Sequence, residues 1–291
     1  MINSQSTMPA SPIGFNLLVW TAAISEKMNP VADRLKKIGY DGVECFVDSQ
    51  DVAVYRKFGT HLTQLGLQST CVTVVGPETN PVSESAAVRE QAIAHLKGVV
   101  DRAHAMGASV VCGPFHSAFA TFTRREPQPD EYARSAEVLH AVGDYAKQAN
   151  IVLTPEALNR FECYLCNTME QLADLVRRAN HPNVQAMFDT HHANMEEKRF
   201  PDALHTIAPY LAHVHISEND RGTPGDGHIP WNDTFRTLAE LNYRGWMTIE
   251  AFTRNDVDFA NSINVWREFS EPWAIAENGY AFIRAMQAKY A

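Results

Sequence analysis

The chain has little of what marks a nucleic-acid-binding or membrane protein. Its 291 residues hold 25 basic against 34 acidic side chains, a net charge of −9, and the basic residues form no stripe that could neutralise a phosphate backbone. The longest uncharged stretch, residues 107–123, is broken by Gly113, Pro114 and His116. It is shorter than the ~20 apolar residues that span a bilayer. We therefore expect no nucleic-acid partner and no membrane association.

Cysteine is also scarce, and its five residues are an odd number set mostly among apolar neighbours, which argues against a disulfide framework. Cys163 and Cys166 have the spacing of a redox or zinc pair, but no second pair lies at a ligand distance from them. Residues 1–12 lack the basic start and apolar middle of a signal peptide, and we expect them to form a flexible tail. These features predict a reducing, cytoplasmic location.

Short apolar runs alternate with longer helical stretches along the whole chain. The eight predicted strands, each followed by a segment of helical character, are Ile13–Val19, Gly42–Val47, Gln68–Val75, Ser109–Cys112, Ile151–Glu156, Val184–Asp189, Ala212–Ser217 and Trp246–Ala251. Nearly continuous apolar runs such as VVCG suit strands buried on both faces of a parallel sheet. Eight such units predict one α/β domain, a (β/α)8 TIM barrel over residues 13–291. A doubly wound dinucleotide-binding sheet is disfavoured, because no G-x-G-x-x-G follows the first strand.

Four ionisable side chains end or lie within consecutive apolar strands in the second half of the chain. They are Glu156 in IVLTPE, Asp189 in VQAMFD, His215 in HVHIS and Glu250 in MTIE. One alone would be read as a helix cap or a hydrogen-bonded core residue. Together they predict a divalent metal site, because the carboxyl ends of barrel strands converge and buried ionisable groups need partners. Three carboxylates and an imidazole, with no thiolate, favour Mn²⁺, Mg²⁺ or Co²⁺ over a structural zinc ion.

Four segments resemble those of a known enzyme family: LNRFE (158–162), DTHHANMEE (189–197), HISENDRGTPGDGH (215–228) and IEAF (249–252). They are similar to segments of the ketose 3-epimerases, the D-tagatose 3-epimerase and L-ribulose 3-epimerase group of the xylose-isomerase-like barrels. The resemblance implies that the four strand-end residues are metal ligands and that Glu156 and Glu250 are also the acid/base pair. It further implies three residues that hold the ketose near its first three carbons, namely Glu162, His192 and Arg221.

The resemblance also implies Mn²⁺ or Co²⁺ as the cofactor and a homodimer or homotetramer as the assembly. Of the adjacent His191 and His192, we expect only the second to face the site, because neighbouring side chains point in different directions. The first half departs from the family pattern. Asn16 stands where several relatives carry an aromatic side chain, and the segment 115–131 has no assigned role.

Inverting a carbinol carbon beside a ketone requires a base on one face, stabilisation of an enediolate and an acid on the other face. A metal that holds the ketone oxygen and its neighbouring hydroxyl, flanked by two glutamates, meets these needs. We therefore predict a metal-dependent epimerase acting at C3 of free, unphosphorylated ketoses. The alternatives are a hydroxypyruvate isomerase-like enzyme, a keto-sugar dehydratase or lyase, a non-catalytic sugar-binding barrel and an apurinic endonuclease. The acid/base pair argues against the binding module, and the acidic charge argues against the endonuclease.

Overall fold

The computed structural model describes residues 10–48 and 50–291. The strands of this part are β1 Ile13–Asn16, β2 Gly42–Phe46, β3 Gln68–Val72, β4 Ala108–Gly113, β5 Val152–Pro155, β6 Ala186–Asp189, β7 Leu211–Ile216 and β8 Trp246–Ile249. The helices are α1 Asn29–Ile38, α2 Val52–Leu65, α3 Ala86–Met106, α4 Pro129–Gln148, α5 Met169–Ala179, α6 Thr190–Glu196, α7 Phe200–Ile207, α8 Trp231–Glu240, α9 Val257–Ser262 and α10 Pro272–Lys289.

The eight described strands form one parallel sheet in the order β5-β4-β3-β2-β1-β8-β7-β6. The ends of this sheet, β5 and β6, meet through a single bridge between Leu153 and Val184. There Leu153 N–H donates to the Asn183 carbonyl oxygen and Gln185 N–H donates to the Leu153 carbonyl oxygen, each at 2.8 Å. The sheet therefore curls into a nearly closed barrel, and the predicted (β/α)8 TIM barrel is confirmed.

The helices cover the barrel with one apolar face each, as α5 illustrates. Its buried residues, Met169, Leu172, Leu175, Val176 and Ala179, follow one another at steps of three, three, one and three, which places them on one side of the helix. Thr168 begins the helix by accepting a hydrogen bond from Gln171 N–H at 3.3 Å, while the Gln171 side chain accepts one from Thr168 N–H at 3.2 Å. This reciprocal cap satisfies two backbone donors that a helix start otherwise leaves free.

Strand β1 is shorter than predicted, and the reason lies in Asn16. The Asn16 side chain accepts a hydrogen bond from Leu18 N–H at 2.9 Å and so begins a 3₁₀ turn over Leu17–Val19. The apolar run LLV continues the pattern of a strand but has left the sheet. As a result, Asn16 sits at the carboxyl end of β1, where its amide group can reach into the barrel.

The predicted tail, residues 1–12, lies outside the described residues for positions 1–9. In the remainder, Ser11 Oγ donates to the Tyr243 carbonyl oxygen at 3.1 Å. All five cysteines belong to the described part, and each is a buried free thiol. In residues 10–48 and 50–291, no helix combines the length and the apolar character needed to cross a membrane.

Candidate metal centre

Glu156, Asp189, His215 and Glu250 converge at the carboxyl ends of β5 to β8. All four side chains are buried, and one potential ligand atom from each lies within 4.8 Å of those of the other three. His215 Nδ1 is 3.5 Å from Asp189 Oδ2 and 3.4 Å from Glu250 Oε1. The structure thus brings together the whole set of side chains that the sequence singled out.

The two glutamates occupy equivalent places on their strands, since each follows directly on the last strand residue. Glu156 N–H donates to the Gly113 carbonyl oxygen at 3.0 Å, and Glu250 N–H donates to the Ile216 carbonyl oxygen at 3.3 Å. Each backbone is therefore still fixed to the neighbouring strand while the chain turns outward. This anchoring directs both side chains to the same mouth of the barrel.

Asp189 is positioned by a second task, because it caps helix α6. Its Oδ1 accepts hydrogen bonds from His191 N–H at 2.6 Å and His192 N–H at 3.3 Å, which satisfies the free donors at the start of that helix. Its Oδ2 is left to face the cluster, where Ser217 Oγ donates to it at 3.1 Å. One carboxylate oxygen therefore fixes the side chain, and the other is presented to the centre.

These residues fit a divalent cation. Among the described residues, Glu156 Oε1 and His215 Nδ1 are buried atoms of the cluster without a hydrogen-bond partner. Such unpaired polar atoms cost free energy in a protein interior unless something satisfies them. Oxygen donors with one imidazole nitrogen are the ligand set that hard or borderline cations such as Mn²⁺ prefer.

Burial and the nearby charges shift the pKa values of Glu156 and Asp189 in opposite directions. Burial raises the pKa of Glu156 well above its ordinary value, and the nearby charges of Glu250 and Asp189 raise it further. Burial acts in the same direction on Asp189, but there the combined effect of Arg221, His192 and His215 outweighs it and holds the pKa well below the ordinary range. Carboxyl groups with opposite shifts in one site are typical of acid/base chemistry.

Arg221 lies in the centre itself rather than only beside it. Its Nη1 donates to Asp189 Oδ2 at 3.1 Å and to Glu250 Oε2 at 2.7 Å. Its backbone φ is +64°, in the left-handed region that residues other than glycine rarely adopt. Arg221 N–H donates to the Glu218 carbonyl oxygen and Phe252 N–H donates to the Arg221 carbonyl oxygen, each at 3.0 Å, and these bonds hold the backbone in that conformation. Strain of this kind commonly marks functional sites.

A cavity of about 960 Å³ adjoins the cluster, and Glu162, His192 and Arg221 all line it. His192 Nε2 is 3.6 Å from Glu156 Oε1 and 2.9 Å from Arg221 Nη2. Glu162 Oε1 accepts a hydrogen bond from Asn159 Nδ2 at 2.9 Å. The three residues predicted to bind substrate therefore border one space with two of the predicted ligands, Glu156 and Glu250.

The expectation that only one of two adjacent histidines faces this space is wrong, because His191 lines the cavity together with His192. Both belong to the first turn of helix α6, where successive side chains are about 100° apart and need not point to opposite sides, as they would in a strand. The apolar part of the wall includes Leu18, Phe46, Val72, Phe119, Phe252 and Phe259. Phe119 comes from the segment 115–131, which the sequence left without a role.

Sequence reasoning missed Glu44, which stands in the middle of β2 and is fully buried. Its Oε1 lies 2.7 Å from His215 Nε2, and its Oε2 lies 3.0 Å from His213 Nε2. Asn16 Nδ2 donates to Glu44 Oε1 at 3.0 Å and to Glu250 Oε1 at 3.2 Å. A glutamate inside the apolar run GVECF carries the same signal as His215, but it lies in the first half of the chain, outside the four consecutive strands that predicted the site.

Glu218 has a structural role that its place in an acidic loop concealed. Its carboxylate is fully buried and accepts hydrogen bonds from four donors, which are Asn219 N–H at 3.0 Å, Gly225 N–H at 2.8 Å, Ile229 N–H at 3.3 Å and Trp231 Nε1–H at 3.0 Å. These bonds gather the loop between β7 and α8 around one side chain. Because Arg221 belongs to this loop, Glu218 fixes the segment that presents the guanidinium.

Residues 32–285 match the family model described as xylose isomerase-like TIM barrel. The chain belongs to this family. Xylose isomerase-like barrels with similar sequences include the D-psicose 3-epimerase of Agrobacterium fabrum, which is 29% identical over 91% of this chain and 95% of its own length. The L-ribulose 3-epimerase of a Methylomonas species is 30% identical over 85% of this chain and 86% of its own length.

Solved barrels of the family superpose closely on this chain. A structure of L-ribulose 3-epimerase has a TM-score of 0.89 at 25% identity and covers 96% of this chain, which in turn covers 95% of it. A D-allulose 3-epimerase from a Methylomonas species, in complex with D-allulose, has a TM-score of 0.88 at 25% identity, with coverages of 96% and 98%. The predicted resemblance to ketose 3-epimerases, enzymes of the isomerase class, is confirmed.

Proposed function

We propose that the protein is a metal-dependent epimerase that inverts C3 of free ketoses. The observation that carries the proposal is the pair Glu156 and Glu250. Both line the cavity, and both belong to the cluster with Asp189 and His215. The similarity to ketose 3-epimerases over most of the chain supports the same reaction. A binding module would need no acid/base pair, so the presence of both Glu156 and Glu250 favours an enzyme.

Glu156, Asp189, His215 and Glu250 would hold the cation, and we propose Mn²⁺, with Co²⁺ or Mg²⁺ as alternatives that the same donors accept. When bound, the metal supplies Lewis-acid stabilisation of the negative charge that develops on the ketone oxygen, which is worth several kcal/mol in such reactions. The protein contributes a fixed geometry, because the backbone bonds and helix cap described above orient three of the four side chains.

The chain's own acid and base are Glu156 and Glu250. They extend from β5 and β8, and so they can approach a bound ketose from two sides. One carboxylate accepts the proton from C3, and the other carboxyl group returns a proton to the opposite face of the enediolate. In the reverse reaction the two exchange roles. Each is therefore the base in one direction of the reaction and the acid in the other.

Glu162, His192 and Arg221 would hold the oxygens near the first three carbons of the ketose. All three line the cavity beside the cluster, and Arg221 and His192 are buried. Placing the reacting carbon between two fixed groups contributes to catalysis by removing the cost of orientation. We further infer a cytoplasmic homodimer or homotetramer, and light scattering of the purified protein measures that assembly.

The proposal is tested by incubating free ketopentoses and ketohexoses with Mn²⁺-loaded protein in D₂O. We expect the C3 epimer of at least one ketose to form with solvent deuterium at C3. No conversion and no exchange with any ketose would contradict the proposal, and epimerisation without deuterium would replace proton transfer by another mechanism.

Variants locate the acid and base. Glu156→Gln and Glu250→Gln should each lower kcat by about 10²–10⁴-fold, the contribution typical of a positioned acid or base. Metal content is measured beside the rate, because both residues also belong to the ligand set. Glu131→Gln is the matched control, since Glu131 is another buried glutamate, but its partners are Tyr164, the Gln128 N–H and Arg125 rather than residues of the cluster. A variant at either site that keeps its metal and its rate removes that residue from the mechanism.

A further inference from the structure

We propose that Glu44 is a positioning residue of the metal centre, which holds His215 with Nδ1 turned towards the cation. The inference rests on the proposed function, because it requires a cation at the four-residue cluster. Glu44 belongs to β2, in the half of the barrel that contributes none of the predicted ligands. It nevertheless contacts one ligand directly and a second through one intervening side chain.

The two nitrogens of His215 have different surroundings. Nδ1 faces Asp189 Oδ2 and Glu250 Oε1 at 3.5 and 3.4 Å, which is the side of the predicted cation. Nε2 lies 2.7 Å from Glu44 Oε1, a hydrogen-bond distance. An imidazole that binds a metal through Nδ1 carries its proton on Nε2, and that proton needs an acceptor. Glu44 is in place to accept it, and a carboxylate in this position also strengthens the ligand.

Glu44 is itself fixed by its neighbours, so that it cannot turn away from His215. Thr70 Oγ1 donates to its Oε2 at 2.8 Å, Cys112 Sγ donates to the same oxygen at 3.2 Å, and His213 Nε2 lies 3.0 Å from it. The two hydrogen bonds, from Thr70 and Cys112, occupy Oε2 and leave Oε1 directed at His215 and Asn16. The carboxylate is fully buried, and burial makes each of these bonds costly to break.

The same oxygen reaches a second predicted ligand through Asn16. Asn16 Nδ2 donates to Glu44 Oε1 at 3.0 Å and to Glu250 Oε1 at 3.2 Å, so one amide joins the two carboxylates. The short strand β1 makes this possible, because Asn16 ends that strand and its side-chain Oδ1 caps the following turn. Glu44 therefore sets the orientation of His215 and, through Asn16, that of Glu250.

Glu44 acts through these ligands and not on the substrate. Among the residues described as lining the cavity, Glu44, His213 and Cys112 are missing, whereas Glu156 and Glu250 are present. Glu44 is therefore not placed to exchange a proton with a substrate bound in this cavity. Its removal should weaken metal binding, and turnover should recover when the metal is supplied in excess.

The test is a calorimetric titration of chelator-treated protein with Mn²⁺, performed on wild type, Glu44→Gln and Glu131→Gln. Glutamine keeps the shape of Glu44 but removes its charge and one of the two acceptors that face histidine rings. We expect the Kd for Mn²⁺ to rise about 10- to 100-fold in Glu44→Gln, the usual effect of losing such a supporting contact. Glu131→Gln, which makes the same chemical change at a glutamate with no hydrogen bond to the cluster, should stay within about twofold of wild type on this scale.

Equal Mn²⁺ affinities of wild type and Glu44→Gln would overturn this inference alone. A wild-type protein that binds no Mn²⁺ would overturn the proposed function and the inference together. Loss of turnover in Glu44→Gln that persists at saturating Mn²⁺ would also overturn the inference, because it would place Glu44 in the chemical step. If Glu44→Gln does not fold, as judged by circular dichroism, the same criteria apply to Glu44→Asp, which keeps the charge but is too short to maintain the 2.7 Å contact.

Discussion

Replacing Arg221 by methionine should destabilise the protein strongly when no divalent cation is supplied. The guanidinium lies 3.1 Å from Asp189 Oδ2 and 2.7 Å from Glu250 Oε2, and the exposed fractions of the three side chains are 9%, 0% and 6%. Methionine keeps most of the side-chain length and apolar contact, but it removes the guanidinium that both carboxylates share. The variant therefore isolates the electrostatic part of the contribution of Arg221.

The expected magnitude follows from the burial of this group. Removing one partner of a buried ion pair costs about 3–5 kcal/mol, because the remaining charge is left without compensation. We take the lower end of this range and expect a loss of about 3 kcal/mol in the free energy of unfolding at pH 7. With an unfolding entropy of about 2.1 cal/mol/K per residue, a chain of this length should lose roughly 5 °C in Tm.

The assay is thermal unfolding in chelator and in excess Mn²⁺, with Arg236→Met as the control. Arg236 pairs with Asp233 at 2.6 Å, but both side chains are about half exposed, at 48% and 47%. Exposed pairs contribute about 0.2–1 kcal/mol, and so the control should lose little in Tm. Mn²⁺ should raise the Tm of Arg221→Met more than that of wild type, because the cation restores positive charge beside the carboxylates. A loss no larger than that of Arg236→Met would refute this account of the centre.

Three further predictions concern metal, substrate and pH. Chelator treatment should abolish turnover and Mn²⁺ should restore it, whereas His215→Ala should lower both metal content and rate; full activity of metal-free protein would contradict the metal site. A free ketose should be preferred over its terminal phosphate by at least about tenfold in kcat/KM, roughly 1.4 kcal/mol, because Asp256 and Asp258 line the cavity and repel a dianion; paired assays with fructose and fructose 6-phosphate measure the ratio. Burial, aided by the charge of Arg102, lowers the pKa of His95 below its ordinary 6.5, so the unfolded chain takes up the proton more readily and stability falls as the pH drops below that value. His95→Gln should lose less stability than wild type between pH 7.5 and 5.5 in urea unfolding, and an equal loss would show that His95 does not contribute.

The strands of this barrel could be predicted because they are short apolar runs, and each predicted strand contains or overlaps an observed one. The metal cluster could be predicted for a related reason. Parallel strands in a barrel end at the same face, so polar residues at consecutive strand ends must meet there. Asp189 and Glu250 followed from this rule without knowledge of any contact.

Glu44 did not follow from the rule, because it lies in the middle of a strand that is apolar on both faces. Its neighbours Val43 and Cys45 are as buried as it is, so the sequence does not indicate which residues point into the barrel. Its partner His215 is 171 positions away, and no local pattern joins them. The left-handed backbone of Arg221 was equally hidden, because it depends on hydrogen bonds to Glu218 and Phe252 that form only in the folded loop.

The shortest strand pairing in the described barrel is that between β5 and β6, which meet through the single Leu153–Val184 bridge. The other neighbouring strands share longer ladders. Glu156 follows β5 directly, and Asp189 is the last residue of β6. A cation bound to both residues would link β5 and β6 at the place where the sheet is least continuous. Metal binding would then stabilise the contact between β5 and β6 as well as the site. Metal release would make these two strands the first neighbours in the barrel to separate.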